Sequence, residues 1–349
     1  MSEVSAEVEA RVERIHTEKL VVDMCWTTNP ALPTSSFDGL SSLDRAIAGG
    51  IAGACNTVSF EHQTFRQALE ELNKVYLLEQ IAPTKFTIVY GTSDIENAKR
   101  DGKLGSIVHF QTGSPVEDDW PNTLPVLHKL GLRVMQVTYN ETNLLGSGCM
   151  EPHDLGLTGY GVQVVKAMNA MGILVDLSHV GRQTSMDTLR LSRDPVLFSH
   201  CNADALTPHP RNITDEEIRA LRDNGGVIGV VSWDPICART PGVQSTLDDF
   251  LAHMDYLIDL AGPDHVGIGT DINENFSAMP IPSMYEIQYG QVSAEALVAN
   301  RAKKRVIGFE RLEDVRNVTR GMIARGYSDE NIAKVLGGNF MRVAGAVWR

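Results

Sequence analysis

Short apolar segments alternate with helical patterns along almost the whole chain, and this alternation constrains the fold more than any other feature. Most of the segments are apolar at successive positions, which is typical of parallel strands that are covered by helices on both faces. The alternation therefore predicts an α/β protein built on a parallel sheet. The predicted strands are residues 20–24, 51–60, 106–112, 132–139, 173–179, 195–200, 226–232 and 265–271.

Helices are predicted between these strands from apolar residues at helical spacing and from signals at the helix ends. In one of them Thr214 is the expected N-cap and Glu217 completes a capping box, while Gly225 stops the helix. The clearest helical patterns cover residues 64–82, 159–172, 214–226, 312–326 and 328–348.

Eight strand–helix alternations predict a closed (β/α)8 TIM barrel with additional C-terminal helices. An open, doubly wound sheet is the alternative, but no Gly-rich phosphate-binding loop follows the first predicted strand. We expect a single domain over residues 1–349, with C-terminal helices at 293–349 packed on the barrel. A chain of 349 residues that is 43% hydrophobic can form a core of that size.

The charge and the N-terminus restrict the classes of partner. A net charge of -13 argues against general binding to nucleic acid or to an anionic membrane. The first 20 residues lack the apolar core of a signal peptide, and no apolar run is long enough to span a bilayer. The five cysteines form no C-x-x-C pair and predict reduced thiols. We therefore expect a cytoplasmic protein that acts on a small molecule.

Several polar side chains stand at the C-terminal ends of the predicted strands, where functional residues of such barrels collect. His179 and His200 end the fifth and sixth predicted strands, and Asp271 ends the eighth. Neutral imidazoles bind Zn2+ or Fe2+ well, and a carboxylate can take a proton from water. His109 lies in mid-strand and is expected to be a core residue. The other candidates at strand ends are Asp23, Cys25, Thr27, Gln111, Tyr139 and Asn140.

Four segments resemble those of a known family of hydrolases. They are GLTGYGVQVVKAMNAMGILVDLSHV, PVLFSHCNADALTPHPRNITDEEIRALRDNGGVIGV, DHVGIGTD and RGYSDENIAKVLGGNFMRV. They look like segments of the membrane (renal) dipeptidase family, peptidase family M19, whose members are amidohydrolase-type barrels. Weaker matches at 16–24 and 104–143 extend the resemblance over nearly the whole chain. It implies a binuclear zinc site that cleaves dipeptides, and a homodimer.

The resemblance assigns roles to four residues of the expected types. His179 and His200 stand where the family binds its second metal. Arg211 stands where an Arg holds the carboxylate of the substrate, and Asp271 stands at the position that handles the proton. By resemblance, these four residues should form a metal-dependent hydrolytic site.

Other positions of the site depart from the family pattern. In place of the family's His-x-Asp, which holds the first metal, this chain has Cys25-x-Thr27. In place of the family's Glu, which bridges the two metals, this chain has Gln111. The His that polarises the scissile carbonyl reads Tyr139. The side chain of Tyr139 can still donate a hydrogen bond to a carbonyl, and we expect Tyr139 and Asn140 to contact the substrate.

The substitutions lower the capacity of the site for metal. Loss of the Asp and the Glu removes two formal negative charges, so we expect the first metal position to be empty. His179 and His200, with the amide oxygen of Gln111 as a weak third ligand, can hold one divalent metal, with zinc the first choice. A metal-free site is the competing expectation. For Cys25, a buried inert thiol is favoured over a ligand.

The sequence thus predicts a hydrolase with at most one metal, acting on a small carboxylate-bearing amide or a dipeptide-like substrate. Ordinary dipeptidase activity is expected to be weak or absent. Two alternatives stay open. One is a repurposed family member with metal-independent chemistry, for example with Cys25 as a nucleophile. The other is a non-catalytic barrel that binds a small acid.

Overall fold

The computed structural model describes residues 5–26, 42–272 and 305–349. In these ranges all strands belong to one parallel sheet. Neighbouring strands in the sheet are consecutive in the chain, except that one short strand lies outside this order. The strands are β1 (Val22–Trp26), β2 (Gly53–Ser59), β3 (Phe86–Ile88), β4 (Leu104–Phe110), β5 (Leu132–Gln136), β6 (Leu174–Asp176), β7 (Leu197–Cys201), β8 (Val227–Val230) and β9 (Val266–Ile268).

The sheet closes into a barrel of eight strands. Strand β2 pairs directly with β4, and β1 pairs with β9 through Asp23 and Ile268. The short β3 pairs only with the first residues of β4 and adds a ninth strand outside the ring. The predicted (β/α)8 barrel with C-terminal helices is therefore confirmed. β3 was not among the predicted strands.

Helices surround the barrel, and the predicted helices are found within a few residues of their expected ends. Residues 334–338 form a π-helical turn inside the last predicted helix. The α-helices are α1 (Ala6–Glu18), α2 (Ser42–Gly49), α3 (Phe65–Ile81), α4 (Thr92–Asp101), α5 (Trp120–Lys129), α6 (Gly159–Met171), α7 (Arg182–Leu191), α8 (Asp215–Asn224), α9 (Asp234–Cys237), α10 (Leu247–Ala261), α11 (Val315–Ala324), α12 (Asp329–Ala333) and α13 (Asn339–Val347).

The end signals read from the sequence act as predicted in α8. The hydroxyl of Thr214 accepts a hydrogen bond from the Glu217 amide, and the carboxylate of Glu217 accepts one from the Thr214 amide. Gly225 ends the helix with a φ of 84°, a left-handed conformation that favours glycine. Gly225 thus fixes where the chain leaves α8 and turns towards β8.

The interior of the barrel is packed closely beside β7. A Cβ atom on Gly229 would lie 2.0 Å from the carbonyl oxygen of Ser199 and 2.7 Å from the methyl group of Met24. A Cβ on Gly269 would lie 1.8 Å from the same oxygen. Glycine at these two positions therefore allows β8 and the chain after β9 to approach the segment that carries Ser199 and His200.

Helices near the two ends of the chain pack on each other and on the bottom of the barrel. In α11, the guanidinium of Arg320 binds the carboxylate of Glu9 in α1 with distances of 2.6 and 2.7 Å. Asn339 donates to the carbonyls of Pro263 and Val266, which joins α13 to the start of β9. The expected single domain over 1–349 stays a prediction, and residues 293–304 lie outside the described ranges. In those ranges, no helix combines the length and the apolar character needed to cross a bilayer.

Candidate active site

The predicted site residues that the structure describes all lie at the C-terminal end of the barrel. His200 is the second-last residue of β7, and Gln111 follows β4 directly. Residues 139, 140, 179 and 271 lie three or four residues beyond the ends of β5, β6 and β9, in the loops that follow. They were expected at the ends of longer strands, but the strands are shorter. Thr27 lies outside the described residues.

Unusual backbone conformations mark the same end of the barrel. Among the non-glycine residues that the structure describes, positive φ angles occur at His62 (59°), His179 (67°) and Asp271 (52°). The Cβ atom makes this left-handed region unfavourable for residues other than glycine, so the surrounding structure must hold it in place. Two of the three are predicted site residues. This agreement motivates a functional interpretation of the loops after β6 and β9.

The two predicted metal-binding histidines face each other. The Nε2 atoms of His179 and His200 are 2.9 Å apart, and both rings are buried. The Nδ1 atom of His179 donates to the side-chain oxygen of Asn140 at 2.7 Å. This hydrogen bond places the ring hydrogen on Nδ1 and leaves Nε2 with a bare lone pair.

A buried relay sets the tautomer of His200. The hydroxyl of Ser199 donates to the carboxylate of Asp176 at 2.5 Å, which uses its only hydrogen. The Ser199 oxygen then accepts from Nδ1 of His200 at 2.7 Å. His200 therefore also carries its hydrogen on Nδ1 and presents a bare Nε2 to His179. The chain of contacts orients both rings as metal-binding histidines are oriented in proteins.

Asp176 is the anchor of this relay. Its carboxylate is buried and also accepts hydrogen bonds from the side chains of His109 (2.9 Å) and Gln136 (3.0 Å). Burial opposes its ionisation, but hydrogen bonds from His109 and Ser199 outweigh it and keep the pKa of Asp176 below its usual range. An ionised Asp176 can only accept hydrogen bonds, so it fixes the direction of the relay. His109 is completely buried, which confirms the expectation that it is a core residue.

The facing imidazoles fit a divalent metal. Two lone pairs at 2.9 Å repel each other unless a cation or a proton lies between them. Burial, reinforced by the charge of Arg211, lowers the pKa of both histidines well below its usual value, which disfavours the proton. Two imidazole nitrogens on a tetrahedral zinc ion, with bonds of about 2.0 to 2.1 Å, lie about 3.3 to 3.4 Å apart, so the rings would have to separate by about 0.4 to 0.5 Å from the 2.9 Å seen here.

Cys25 and Asp271 lie beside His200. One ligand atom from each of these three side chains lies within 4.8 Å of the other two. The thiol of Cys25 is 3.7 Å from a carboxylate oxygen of Asp271 and is oriented to donate to it. Burial raises the pKa of Asp271 to about 6, although Arg211 and Cys25 act in the opposite direction. Asp271 can therefore exchange a proton near neutral pH.

Gln111 and Asp23 support Cys25 from two sides. The amide nitrogen of Gln111 donates to the sulfur of Cys25 at 3.1 Å and to the hydroxyl of Thr57 at 2.7 Å. The carboxylate of Asp23 accepts from the Cys25 amide and from the amide and hydroxyl of Thr270. Burial raises the pKa of Asp23 to about 7, and these contacts oppose the shift. Asp23 thus joins the end of β1 to the chain beyond β9.

Arg211 approaches the histidines from the loop after β7. Its side chain is buried, and its guanidinium donates to the carbonyl of His200 at 3.2 Å and to the sulfur of Cys201 at 3.7 Å. A planar guanidinium held in place by such contacts suits a bidentate contact with a carboxylate. Its charge also acts on Asp271, as the pKa of that group reflects.

Tyr139 and Asn140 contact His179 from the loop after β5. The ring of Tyr139 stacks on the imidazole with 3.9 Å between centroids and 19° between planes. Asn140 accepts from His179 and, through the same oxygen, from the thiol of Cys149 at 3.6 Å. Cys149 also borders a cavity of about 470 Å3, whose other charged or polar lining side chains are Glu151, Asp154, Arg182, Asp204 and His209. The cavity has a volume in the range of small-molecule sites.

Sequence reasoning missed the relay residues Asp176 and Ser199. Both are polar residues inside apolar strand patterns, in LVDLSH and LFSH, and a charged residue at such a position signals a buried partner. Sequence reasoning also missed a group at the barrel rim. Glu61, His62 and Glu141 present ligand-type atoms within 4.8 Å of one another, and His62 contacts Glu141 at 2.9 Å.

The comparisons with known proteins agree on one family. Residues 9–280 match the sequence model of the membrane dipeptidase family, peptidase family M19. The chain is 28% identical to dipeptidase tcpJ of Claviceps purpurea over 326 residues, which are 89% of this chain and 70% of that protein.

Solved structures share the fold over almost the whole chain. An amidohydrolase from Pseudomonas aeruginosa is 29% identical, with a TM-score of 0.84 and coverage of 97% of this chain and 99% of the other. A metallopeptidase from Rhodobacter sphaeroides, solved with a phosphinate mimic of the dipeptide L-Ala-D-Ala, is 22% identical. Its TM-score is 0.75, with coverage of 95% of this chain and 100% of the other.

Proposed function

The chain belongs to the membrane dipeptidase family, a family of hydrolases, and we propose that it hydrolyses a small amide with a free carboxylate, using at most one divalent metal. The observation that carries this proposal is the pair of buried imidazoles whose Nε2 atoms face each other at 2.9 Å beside Arg211 and Asp271. His179 and His200 would hold the metal. When bound, a divalent metal polarises a carbonyl and makes water more acidic.

The guanidinium of Arg211 would bind the carboxylate of the substrate. It is held by the His200 carbonyl, next to the ring that faces the metal position. A substrate carboxylate in bidentate contact with it would place the neighbouring amide bond near His179 and His200. The R. sphaeroides neighbour binds a dipeptide mimic, which supports a substrate of this size.

Asp271 would move the proton. Its pKa of about 6 allows the ionised form to take a proton from the attacking water and the protonated form to give it to the leaving amine. Tyr139, held by stacking on His179, would donate a hydrogen bond to the oxygen of the scissile carbonyl. Asn140 would orient His179 and line the substrate site.

A second metal ion is disfavoured by the charge of the site. Thr27 and Gln111 replace two carboxylates of the family pattern, and in this structure Gln111 donates its amide hydrogens to Cys25 and Thr57. A neutral donor at this position cannot compensate the repulsion between two divalent cations. Because the family cleaves dipeptides with two metals, we expect ordinary dipeptidase activity to be weak or absent.

Metal analysis combined with an activity screen tests the proposal. Untagged protein should contain close to one equivalent of metal, and chelation should abolish hydrolysis of N-acyl amino acids, with any weak hydrolysis of dipeptides, and Zn2+, Mn2+ or Fe2+ should restore it. Asp271→Asn should retain the metal and lose turnover by about 100-fold to 10,000-fold. Less than a tenth of an equivalent, with no activity restored by any of the three metals, would exclude the metal-dependent reaction.

The same screen separates the two alternatives. Turnover that survives complete chelation would favour a repurposed enzyme with metal-independent chemistry. Thermal stabilisation by small acids without any turnover would favour a non-catalytic binding barrel. The homodimer and the cytoplasmic location stay predictions, to be checked by light scattering of the purified protein and by fractionation of cells.

A further inference from the structure

Asp23 is a buried carboxylate at the place where β1 meets β9, and it is only 2% exposed. One of its oxygens accepts hydrogen bonds from the amides of Cys25 at 3.1 Å and of Thr270 at 2.8 Å. The other oxygen accepts from the hydroxyl of Thr270 at 2.7 Å. Both donors of Thr270 therefore end on one side chain. A buried carboxylate is unfavourable unless hydrogen bonds compensate it, and apolar side chains would close the barrel without this cost.

Thr270 comes directly before Asp271, and its contacts fix the chain on both sides of that residue. The carbonyl of Thr270 accepts from the amide of Ser232 at 3.3 Å and from its hydroxyl at 2.9 Å. The hydroxyl oxygen of Thr270 accepts from the amide of Ile272 at 3.2 Å. The amide of Asp271 donates to the carbonyl of Cys25 at 2.9 Å. Asp271, with its φ of 52°, thus lies in a strained conformation between two anchored residues.

The same set of contacts occurs at a second buried carboxylate, that of Asp176. One of its oxygens accepts from the amides of Ser178 at 3.1 Å and of Ser199 at 2.9 Å. The other accepts from the hydroxyl of Ser199 at 2.5 Å. Like Asp23, Asp176 thus binds the amide two residues ahead of it and both donors of a hydroxyl residue on the neighbouring strand. The residue after Ser199 is His200, which this contact orients.

The register of the sheet is also the same in the two cases. Asp176 pairs with Leu197, two positions before the serine that it binds. Asp23 pairs with Ile268, two positions before the threonine that it binds. The next residue is a predicted site residue both times, and beside Asp23 it is Asp271. The barrel therefore uses one arrangement twice, and at Asp176 that arrangement already has a positioning effect on the site.

We propose that Asp23, acting through Thr270, is the positioning residue of Asp271. It holds the backbone of Asp271 in the left-handed conformation that keeps the carboxylate at the site. There a carboxylate oxygen lies 3.7 Å from the sulfur of Cys25 and within 4.8 Å of a ring nitrogen of His200. This inference rests on the proposed function, because Asp23 would act through the group that moves the proton. Asp23 itself does not contact the substrate.

Loss of the contact should affect the reaction more than the binding of its components. Without the anchors on both sides, Asp271 should relax to a negative φ and its carboxylate should move away from His200. Proton transfer depends steeply on the position of the catalytic group, so kcat should fall. Arg211 is held by the carbonyl of His200, and His200 is oriented by Ser199, so KM and metal affinity should change little.

Crystal structures and kinetics of three variants of the full-length protein test the inference. Asp23→Ala removes the acceptor, Thr270→Val removes the hydroxyl at nearly unchanged volume, and Thr270→Ser keeps the hydroxyl. In the first two variants, residue 271 should leave the left-handed region, and kcat for N-acyl amino acids should fall by about 10-fold to 100-fold. Thr270→Ser should keep φ at residue 271 within about 20° of its present value and restore kcat. Should Asp23→Ala not fold, Thr270→Val carries the same test.

Thr319→Val is the matched control for loss of a buried threonine hydroxyl. Thr319 in α11 is completely buried, and its hydroxyl contacts the ring of His16 at 2.8 Å across 303 residues of the chain. The substitution should lower Tm about as much as Thr270→Val does, because each removes one buried hydrogen bond between distant segments. It should leave φ at residue 271 and kcat unchanged. In all variants, KM and the affinity for Co2+ should stay within about threefold of the wild type, a smaller change than loss of a partner of a metal-binding histidine typically causes.

The outcomes separate this inference from the proposed function. A changed φ at residue 271 together with a lower kcat at constant KM supports the inference. A left-handed residue 271 in both Asp23→Ala and Thr270→Val overturns it, as does a changed φ with an unchanged kcat. An equal loss of kcat in Thr319→Val also overturns it, because a general loss of stability then explains the effect. Absence of turnover in the wild type refutes the proposed function, and φ at residue 271 then decides alone whether Asp23 holds Asp271 in place.

Discussion

Replacement of Ser199 by Ala should release His200 from its tautomer. The Ser199 oxygen accepts from Nδ1 of His200 at 2.7 Å and donates to Asp176 at 2.5 Å, and all three side chains are buried. Without the hydroxyl, the Nδ1 hydrogen of His200 has no acceptor in the relay. The ring can then move its hydrogen to Nε2 and donate to His179, whose Nε2 is 2.9 Å away.

Two estimates give the size of the effect on metal binding. A buried donor that loses its acceptor costs about 1 to 3 kcal/mol, and the tautomer that binds metal must bear this cost in the variant. Second-sphere partners of metal-binding histidines typically change affinity by about 10-fold to 100-fold, which corresponds to about 1.4 to 2.7 kcal/mol. The agreement predicts that the dissociation constant for Zn2+ or Co2+ rises by one to two orders of magnitude. The folding stability of the metal-free protein should fall by less than this, because the new hydrogen bond from His200 to His179 compensates in part for the lost one.

Competition with a chromophoric chelator measures the affinity, and nitrogen NMR of the imidazole rings identifies the tautomer of His200. Ser185→Ala is the matched control, since Ser185 is also a buried serine and its hydroxyl has no hydrogen-bond partner among the described residues. It should leave affinity and tautomer unchanged. The reasoning is wrong if Ser199→Ala binds metal within threefold of the wild type and keeps its hydrogen on Nδ1.

Three further predictions concern other parts of the molecule. Burial lowers the pKa of His253 from 6.5 to about 4, so the stabilising contribution of His253 is complete above pH 6.5 and is lost as the pH falls towards 4. Chemical denaturation should therefore show that the stability difference between wild type and His253→Gln shrinks by up to about 3 kcal/mol over this pH range. A difference that stays constant with pH would contradict this. Gly229→Ala should destabilise the protein by about 3 kcal/mol or more in thermal melts, since its Cβ would lie 2.0 Å from a carbonyl oxygen. Gly345→Ala, on the exposed face of α13, should instead stabilise the protein by about 0.5 to 1 kcal/mol. Equal effects of the two substitutions would refute the packing argument. Arg211→Lys should raise KM for substrates with a free carboxylate by about 10-fold or more and leave KM for the matching C-terminal amides unchanged; an equal rise for both would argue against a carboxylate contact.

The sequence predicted the parts of the site that depend on position along a strand. His179, His200, Gln111 and Asp271 were expected at the C-terminal end of the barrel because strand ends can be read from local patterns of apolar residues. The structure brings His179 and His200 together and places Asp271 next to Cys25. Their roles in a reaction remain proposals.

The sequence by itself determined the order of the eight barrel strands, the clearest helices and the caps of α8, and it predicted a closed barrel from the alternation of strands and helices. These features follow from interactions between residues close together in the chain, such as the capping box of Thr214 and Glu217. The tertiary structure alone decided which polar groups share a hydrogen bond across strands. The relay from Asp176 to Ser199 exists because β6 pairs with β7 in the sheet. The approach of Cys25 to Asp271, which are 246 residues apart in the chain, exists because ring closure places β1 beside β9. No local pattern encodes such distances, since they are set by the packing of the whole barrel.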